Sequence, residues 1–463
     1  MTYDLIIVGT GPAGIFTALE LKQLNPRARI LMLEKGSRIE ERSCPRQEKT
    51  VCTLCDNCAI TSGFAGAGAY SDGKLILSPN IGGNLSEYVG PQLEELIGYV
   101  DGIYRSYGAD EKVYGTGEPE IIARLKRKAI ASNLKLVEAP IRHIGTENSR
   151  EIYTRIEHDL LDGGVEILFN TPVTGLVVED SPAGGRAVRG VEAGRVYRAD
   201  RVVAAVGREG AGWLEAQCRA HGIDTRVGSV DLGVRVEVRN EIMEEVNRSL
   251  YESKLIYYTP TFDDMVRTFC HNPGGVVSTE YYDDHLAAVN GHAYKDNHYK
   301  TENTNFAILV SKHFTEPFKE PITYGKYIAG LANMLSGNRV IVQRFGDFRR
   351  GRRTTPERLN RNNIRPTLAD AVPGDLCLVF PYRIMVDIKE MIDALSGVFP
   401  GLESDETLLY GVEVKFYSNR IITDERFQSS LPGLYVAGDG AGITRGLMQA
   451  SINGVLLGRI LAR

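Results

Sequence analysis

Cys44, Cys52, Cys55 and Cys58 fall within fifteen consecutive positions and account for four of the seven cysteines in 463 residues. Thiolates at C-x2-C-x2-C spacing can each reach a different iron of a cubane cluster. Structural zinc sites more often draw on separated cysteine pairs. An iron–sulfur cluster, zinc, and metal-free thiols or a redox disulfide all stay open for this run. Its crowding points to a reducing compartment rather than a disulfide framework. Cys218, Cys270 and Cys377 read as buried apolar residues.

A second constellation sits at the start of the chain. Gly9, Gly11 and Gly14 give G-x-G-x-x-G directly after the apolar run Leu5-Ile6-Ile7-Val8 and at the head of a helix reaching Leu24. Gly9 permits a tight turn, Gly11 lets the backbone approach a pyrophosphate, and Gly14 lets helix and strand pack closely. Pro12 and Ala13 complete the turn. Free N–H groups and the positive end of the helix dipole then hold phosphate. Glu34, with Lys35 beside it, ends a second apolar strand. A carboxylate there suits ribose hydroxyls and repels a 2′-phosphate, which disfavours NADP.

The far end of the chain separates FAD from NAD. Leu434 to Ala437 is a short apolar strand running into Gly438-Asp439. An acidic residue there can bond a ribityl hydroxyl, a group that NAD lacks. Gly446 and Leu447 open the last helix, whose N-terminus suits the flavin N1/C2=O edge, with Arg445 adding charge. Gly207 ends a middle strand in the same style, and Val173 suits a backbone contact to adenine. The small residues Gly66, Ala67 and Gly68 permit close approach to a cofactor. Ser71 can donate to a phosphate or flavin edge, and Lys74 follows as a candidate catalytic residue.

Further candidates lie between these motifs. Glu413, Lys415 and Tyr417 alternate along one strand face, and Lys415 or Tyr417 could supply a proton. Arg267, Cys270 and His271 precede the turn Asn272-Pro273-Gly274-Gly275, with Arg267 a candidate substrate anchor. Eight arginines between 344 and 365 stand out against a formal net charge of −5. They suit an anionic ligand, an acidic redox partner or RNA, although only Phe345 and Phe348 are interleaved for base stacking.

These residues must be positioned by an α/β framework. The first strand–turn–helix–strand pattern returns at the C-terminus, which implies a discontinuous first domain: residues 1–215, with a Cys-rich loop at 37–85 and a helical insertion at 86–135, and residues 420–463. Residues 216–419 read as a second, α+β domain. With 43% apolar and 24% charged residues, the composition is that of a soluble globular protein. No targeting segment or membrane span is read, and the expected location is the cytoplasm.

The four segments around Gly9, Glu34, Gly207 and Asp439 together resemble the glutathione-reductase-like Rossmann FAD-binding fold. A narrower resemblance rests on Cys44-Pro45, Cys52-x-x-Cys55-x-x-Cys58 and Gly63-Phe64-Ala65-Gly66-Ala67-Gly68-Ala69-Tyr70-Ser71-Asp72-Gly73-Lys74-Leu75. These motifs resemble the uncharacterised FAD-dependent dehydrogenase family of NAD(P)/FAD-dependent oxidoreductases. The likeness runs over most of the chain, Val266-Arg267-Thr268-Phe269-Cys270 included. It implies FAD, that fold, a substrate or cap domain, and oxidoreductase chemistry. A second G-x-G-x-x-G for a nicotinamide cofactor is not found, so electrons are expected from transiently bound NAD(P)H or from a redox partner protein. The expected reaction passes hydride between the flavin and a small, anionic molecule. Alternatives are an iron–sulfur/flavin electron-transfer protein and, least favoured, an RNA-directed flavoenzyme.

Overall fold

The computed structural model describes residues 2–45, 55, 57–70, 73–181, 184–250, 252–282, 286–293 and 297–463. Cys52 and Ser71, both singled out above, lie outside the described residues. The chain forms two compact units. The first comprises residues 1–112, 142–228 and 417–463, and the second 113–141 and 229–416.

The first unit is built on a parallel sheet in the order Leu434–Val436, Val202–Ala204, Leu5–Val8, Ile30–Leu33, Glu166–Leu168. Every residue of its first four strands is buried, as expected of a sheet covered on both faces. The helix Pro12–Leu24 follows the first strand, with proline in its first turn and no side-chain cap. The last helix, Leu447–Leu461, crosses it closely through small residues. A Cβ on Gly454 would lie 2.3 Å from the Ala13 carbonyl oxygen, and one on Gly458 would lie 2.6 Å from the Glu20 Cβ. The C-terminal segment therefore completes both the sheet and the helical layer of the N-terminal one.

The second unit centres on an eight-stranded sheet. Its middle strands are Leu408–Phe416, Val230–Arg239, Asn303–Lys312 and Met265–Asn272, paired antiparallel. Alternation along Val230–Arg239 sorts the two faces. Val230, Leu232, Val234, Val236 and Val238 join an apolar core with the helices Pro321–Ser336 and Tyr382–Ser396. Asp231, Arg235 and Glu237 fall on the other face and are also buried. The hairpin Val276–Tyr282/Leu286–His292 closes over them, and a Cβ on its Gly291 would lie 2.3 Å from Arg235 Nη1.

The stretch Val113–Ile141, much of it expected in a helical insertion of the first domain, folds with the second unit. Its strand Lys135–Val137 pairs with Lys254–Tyr258 at the sheet edge. That pairing spans over a hundred residues and leaves no local signal.

Candidate functional site

Three glycines shape the turn after the first strand, each for a different reason. Gly9 has φ +97°, and a Cβ there would strike the Ala205 carbonyl oxygen at 2.6 Å. A Cβ on Gly14 would lie 2.2 Å from the Gly9 oxygen. A Cβ on Gly11 would meet nothing within 4 Å among the described residues. Two glycines are thus demanded by packing, while Gly11 leaves the backbone approachable. The helix it caps has no acidic residue in its first turn and no capping side chain, so its first N–H groups are available to an anion.

Glu34, expected to receive ribose hydroxyls, is engaged by the chain itself. Oε2 accepts from the Thr10 N–H at 3.0 Å and the Thr10 hydroxyl at 2.8 Å. Oε1 accepts from the N–H groups of Gly36 and Gly63, each at 2.9 Å. These donors use the carboxylate's four lone-pair directions, making Glu34 a positioning residue for the phosphate turn. Lys35 pairs with Glu209 at 3.0 Å.

Arg42, which no sequence motif marks, is 1% exposed. Its guanidinium donates to the carbonyl oxygens of Ala59, Ile60, Phe64 and Gly66. This staples the loop that runs back over the turn. A Cβ on Gly66 would sit 3.3 Å from the Gly11 Cα, and one on Gly68 would sit 2.9 Å from Leu447 Cδ2 and 3.5 Å from Pro12 Cγ. The glycine loop therefore meets the N-terminal turn and the start of the last helix. Ala67 between them is exposed.

At the C-terminal motif, Gly438 has φ +78° and donates its N–H to Asn453 Oδ1 at 2.9 Å. Asp439 accepts from the Thr444 hydroxyl at 2.8 Å and from the Gly446 N–H at 3.2 Å, and it faces Arg208 at 3.6 Å. Burial pushes its carboxyl upward against the pull of Arg208 and these donors. A Cβ on Gly440 would strike the Gly207 oxygen at 2.3 Å, so the middle and C-terminal turns touch. Val173 is half-buried against the same core. Arg445 lies flat over the Tyr417 ring, 3.6 Å from its centroid. A cleft beside it is lined by Lys74, Ile76, Ile81, Gly82 and Arg445 to Gln449.

These residues fit a dinucleotide. A Cβ built on Gly11, Gly207 or Gly446 would meet nothing within 4 Å among the described residues. Two fully buried amide atoms, Gln449 Oε1 and Asn453 Nδ2, find no partner among the described residues.

The other candidates are placed differently. Tyr417 belongs to the first unit, whereas Glu413 and Lys415 belong to the second. Glu413 accepts from Arg235 Nε and Nη2 at 2.9 and 3.0 Å, and Lys415 lies 3.2 Å from Glu413 and 3.3 Å from Glu280. Burial would lower the Lys415 pKa, but Glu413 and Glu280 hold it well above its ordinary value. Arg267 pairs with Asp231. In the arginine-rich segment, Arg349 and Arg350 pair with Asp405, and Arg352 and Arg358 with Asp347. Phe345 and Phe348 are fully buried and cannot stack on bases. Cys44 and Cys58 are free thiols. Among the described residues no group of three His, Cys, Asp or Glu side chains is gathered to hold a metal.

The glycine turn, the parallel sheet and the returning C-terminal strand and helix define a dinucleotide-binding fold. Residues 229–416, almost all of the second unit, match the family described as FAD-dependent protein, C-terminal domain-like. That description and the glycine turn of the first unit agree on FAD as the dinucleotide. An uncharacterized protein of Clostridium beijerinckii is 24% identical over 487 positions, covering 97% of this chain and 79% of that one. Quinol fumarate reductase FrdA of E. coli aligns over 100% of this chain and 70% of its own, at 14% identity and a TM-score of 0.41. A geranylgeranyl bacteriochlorophyll reductase-like protein of Thermoplasma acidophilum aligns over 100% and 78%, at 12% identity and a TM-score of 0.41. THI4 of Thermovibrio ammonificans aligns over 49% and 65%, at 14% identity and a TM-score of 0.28. Among the described residues no helix is long and apolar enough to cross a membrane.

Proposed function

We propose that this enzyme passes hydride between FAD and a small, anionic molecule. One observation carries the reading. Two cations, Lys74 and Arg445, line the cleft at the N-terminus of the last helix, and no acidic side chain is among its lining residues that the structure describes. Positive potential of this kind favours negative charge, whether on a substrate or on the cofactor edge.

When bound, FAD supplies a two-electron centre that accepts or gives hydride. The chain's own part is to hold and orient it. Gly9, Gly11, Gly14 and the N–H groups that follow would hold the pyrophosphate, and Glu34 and Arg42 fix the loops around it. Asp439 would meet the ribityl chain, and Gly446 and Leu447 would face the ring. Lys74, at the start of the strand Lys74–Ile76, is the group in the cleft that can hold or release a proton.

Electrons come from NAD(P)H or from a redox partner protein. Anaerobic titration with NADH, NADPH and dithionite, followed by mixing the reduced enzyme with a panel of carboxylates and phosphates, tests the proposal. Reoxidation of the flavin by one of these compounds is expected, and slower reoxidation in Lys74→Met. Failure of every small molecule to reoxidise it overturns the reading. Iron and acid-labile sulfide in anaerobically purified protein decide whether Cys44, Cys52, Cys55 and Cys58 carry an iron–sulfur cluster.

A further inference from the structure

The cleft holds one feature that the sequence motifs do not account for. Gln449, in the first turn of the last helix, is 2% exposed. Its Nε2 donates to the Ile81 carbonyl oxygen at 3.0 Å. A carbonyl can only accept, so this bond fixes which way the amide faces. Oε1 is left buried with no partner among the described residues. Gly82, at φ +123°, presses on the same side chain: a Cβ there would lie 2.9 to 3.1 Å from Gln449 Cγ, Cδ and Nε2. The amide is therefore locked beside the cleft that Gln449 helps to line, with its oxygen buried. A buried acceptor left unsatisfied is destabilising, so its retention asks for a donor.

The surroundings define that donor's carrier. Lys74, Arg445 and the N-terminus of a 15-residue helix all favour negative charge, while Oε1 requires an N–H or O–H. One group must present an anionic or carbonyl edge with a hydrogen-bond donor immediately beside it. The pyrimidine edge of the flavin has this arrangement, with N1 and C2=O next to N3–H.

We propose that Gln449 is a positioning residue for the flavin ring, its Oε1 accepting from N3–H while the helix N-terminus and the two cations meet the N1/C2=O edge. The inference rests on the FAD reading above and adds a residue that reads one atom of the ring. Gln449 would select an N3-unsubstituted ring and fix its rotation in the cleft.

The test is a titration of flavin-free, full-length protein with FAD and with N3-methyl-FAD, followed by flavin fluorescence. The wild-type protein should bind FAD about tenfold more tightly than the methylated form. Gln449→Leu should bind FAD about tenfold more weakly and lose most of that discrimination. Thermal melting of the variant shows whether it folds, and the wild-type comparison stands without it. Equal wild-type affinity for the two flavins overturns this proposal and leaves the FAD reading intact. So does undiminished discrimination by a folded Gln449→Leu. Failure of the wild type to bind either flavin overturns both.

Discussion

Thr10 and Glu34 are joined by two hydrogen bonds, the Thr10 N–H at 3.0 Å and the Thr10 hydroxyl at 2.8 Å, both on Oε2. The middle residue of the G-T-G turn is thereby pinned to the end of the neighbouring strand. In Glu34→Gln one carboxylate oxygen becomes an NH2 facing existing donors. Such a clash at a buried, charge-assisted site costs about 2–3 kcal/mol. We expect a lower melting temperature and at least about tenfold weaker FAD binding. Unchanged melting and unchanged flavin titration would show that the carboxylate does not hold the turn.

Gly454 and Gly458 set how closely the first and last helices approach. Gly454→Ala places a methyl 2.3 Å from the Ala13 carbonyl oxygen. Overpacking of this kind costs about 1–3 kcal/mol, despite alanine's better helix propensity. Because Ala13 belongs to the phosphate turn, the variant should lose FAD affinity as well as stability. A variant with normal affinity and only reduced stability would mean that the turn relaxes independently of the helix pair.

The fully buried pair Arg235–Glu413 lies under the hairpin Val276–His292. Arg235→Met removes the bidentate partner of Glu413 and leaves Lys415 as the cation beside it, so it should cost up to about 3–5 kcal/mol in urea melts of the full chain. Arg235→Met with Glu413→Leu should cost clearly less than the two single changes added together. Additive costs would mean that the two charges act separately.

Asp387 and Asp264 give the second unit a dependence on pH. Burial, reinforced by Asp264, pushes Asp387 up to about 6. Burial would also raise Asp264, but Arg383 and Lys312 hold it down at about 2. Asp387 binds its proton more tightly in the folded state. Its stabilising contribution is complete below the unfolded value near 4 and disappears as pH rises through 6. Asp264 acts in the opposite sense, and its contribution disappears only as pH falls towards 2. Melting temperatures measured between pH 4 and 7 should fall with rising pH less steeply in Asp387→Asn than in wild type. Parallel curves for the two proteins would contradict this.

Much of the first unit can be read along the chain because its signals are local. Gly9, Gly11 and Gly14 sit within six positions, and the apolar runs 5–8 and 434–436 announce strands buried on both faces. The return of the C-terminal strand beside 202–204 follows from matching composition. Arg42 and Gln449 carry no such signal. Their roles depend on carbonyl groups that the fold brings to them, and an arginine in a glycine-rich loop or a glutamine in a helix is unremarkable by itself. The alternation of Glu413 and Lys415 correctly marks a polar strand face. What alternation cannot show is that a hairpin more than a hundred residues earlier seals that face. The arginines of 344–365 look like a ligand surface by count, yet Asp347 and Asp405 neutralise several of them once the chain is folded.

The parallel sheet of the first unit takes its outermost strand, 434–436, from near the end of the chain, and the second unit is inserted before it. During synthesis the ribosome therefore releases every strand of the inserted unit while the nucleotide cradle still lacks a wall. Cofactor capture must come after that last stretch has emerged. Until then the edge of strand 202–204 is an open template in the nascent chain, at risk of pairing with the wrong partner. Supply of FAD during expression, and chaperones that shield this edge, should accordingly govern the yield of folded protein more than they govern its final stability.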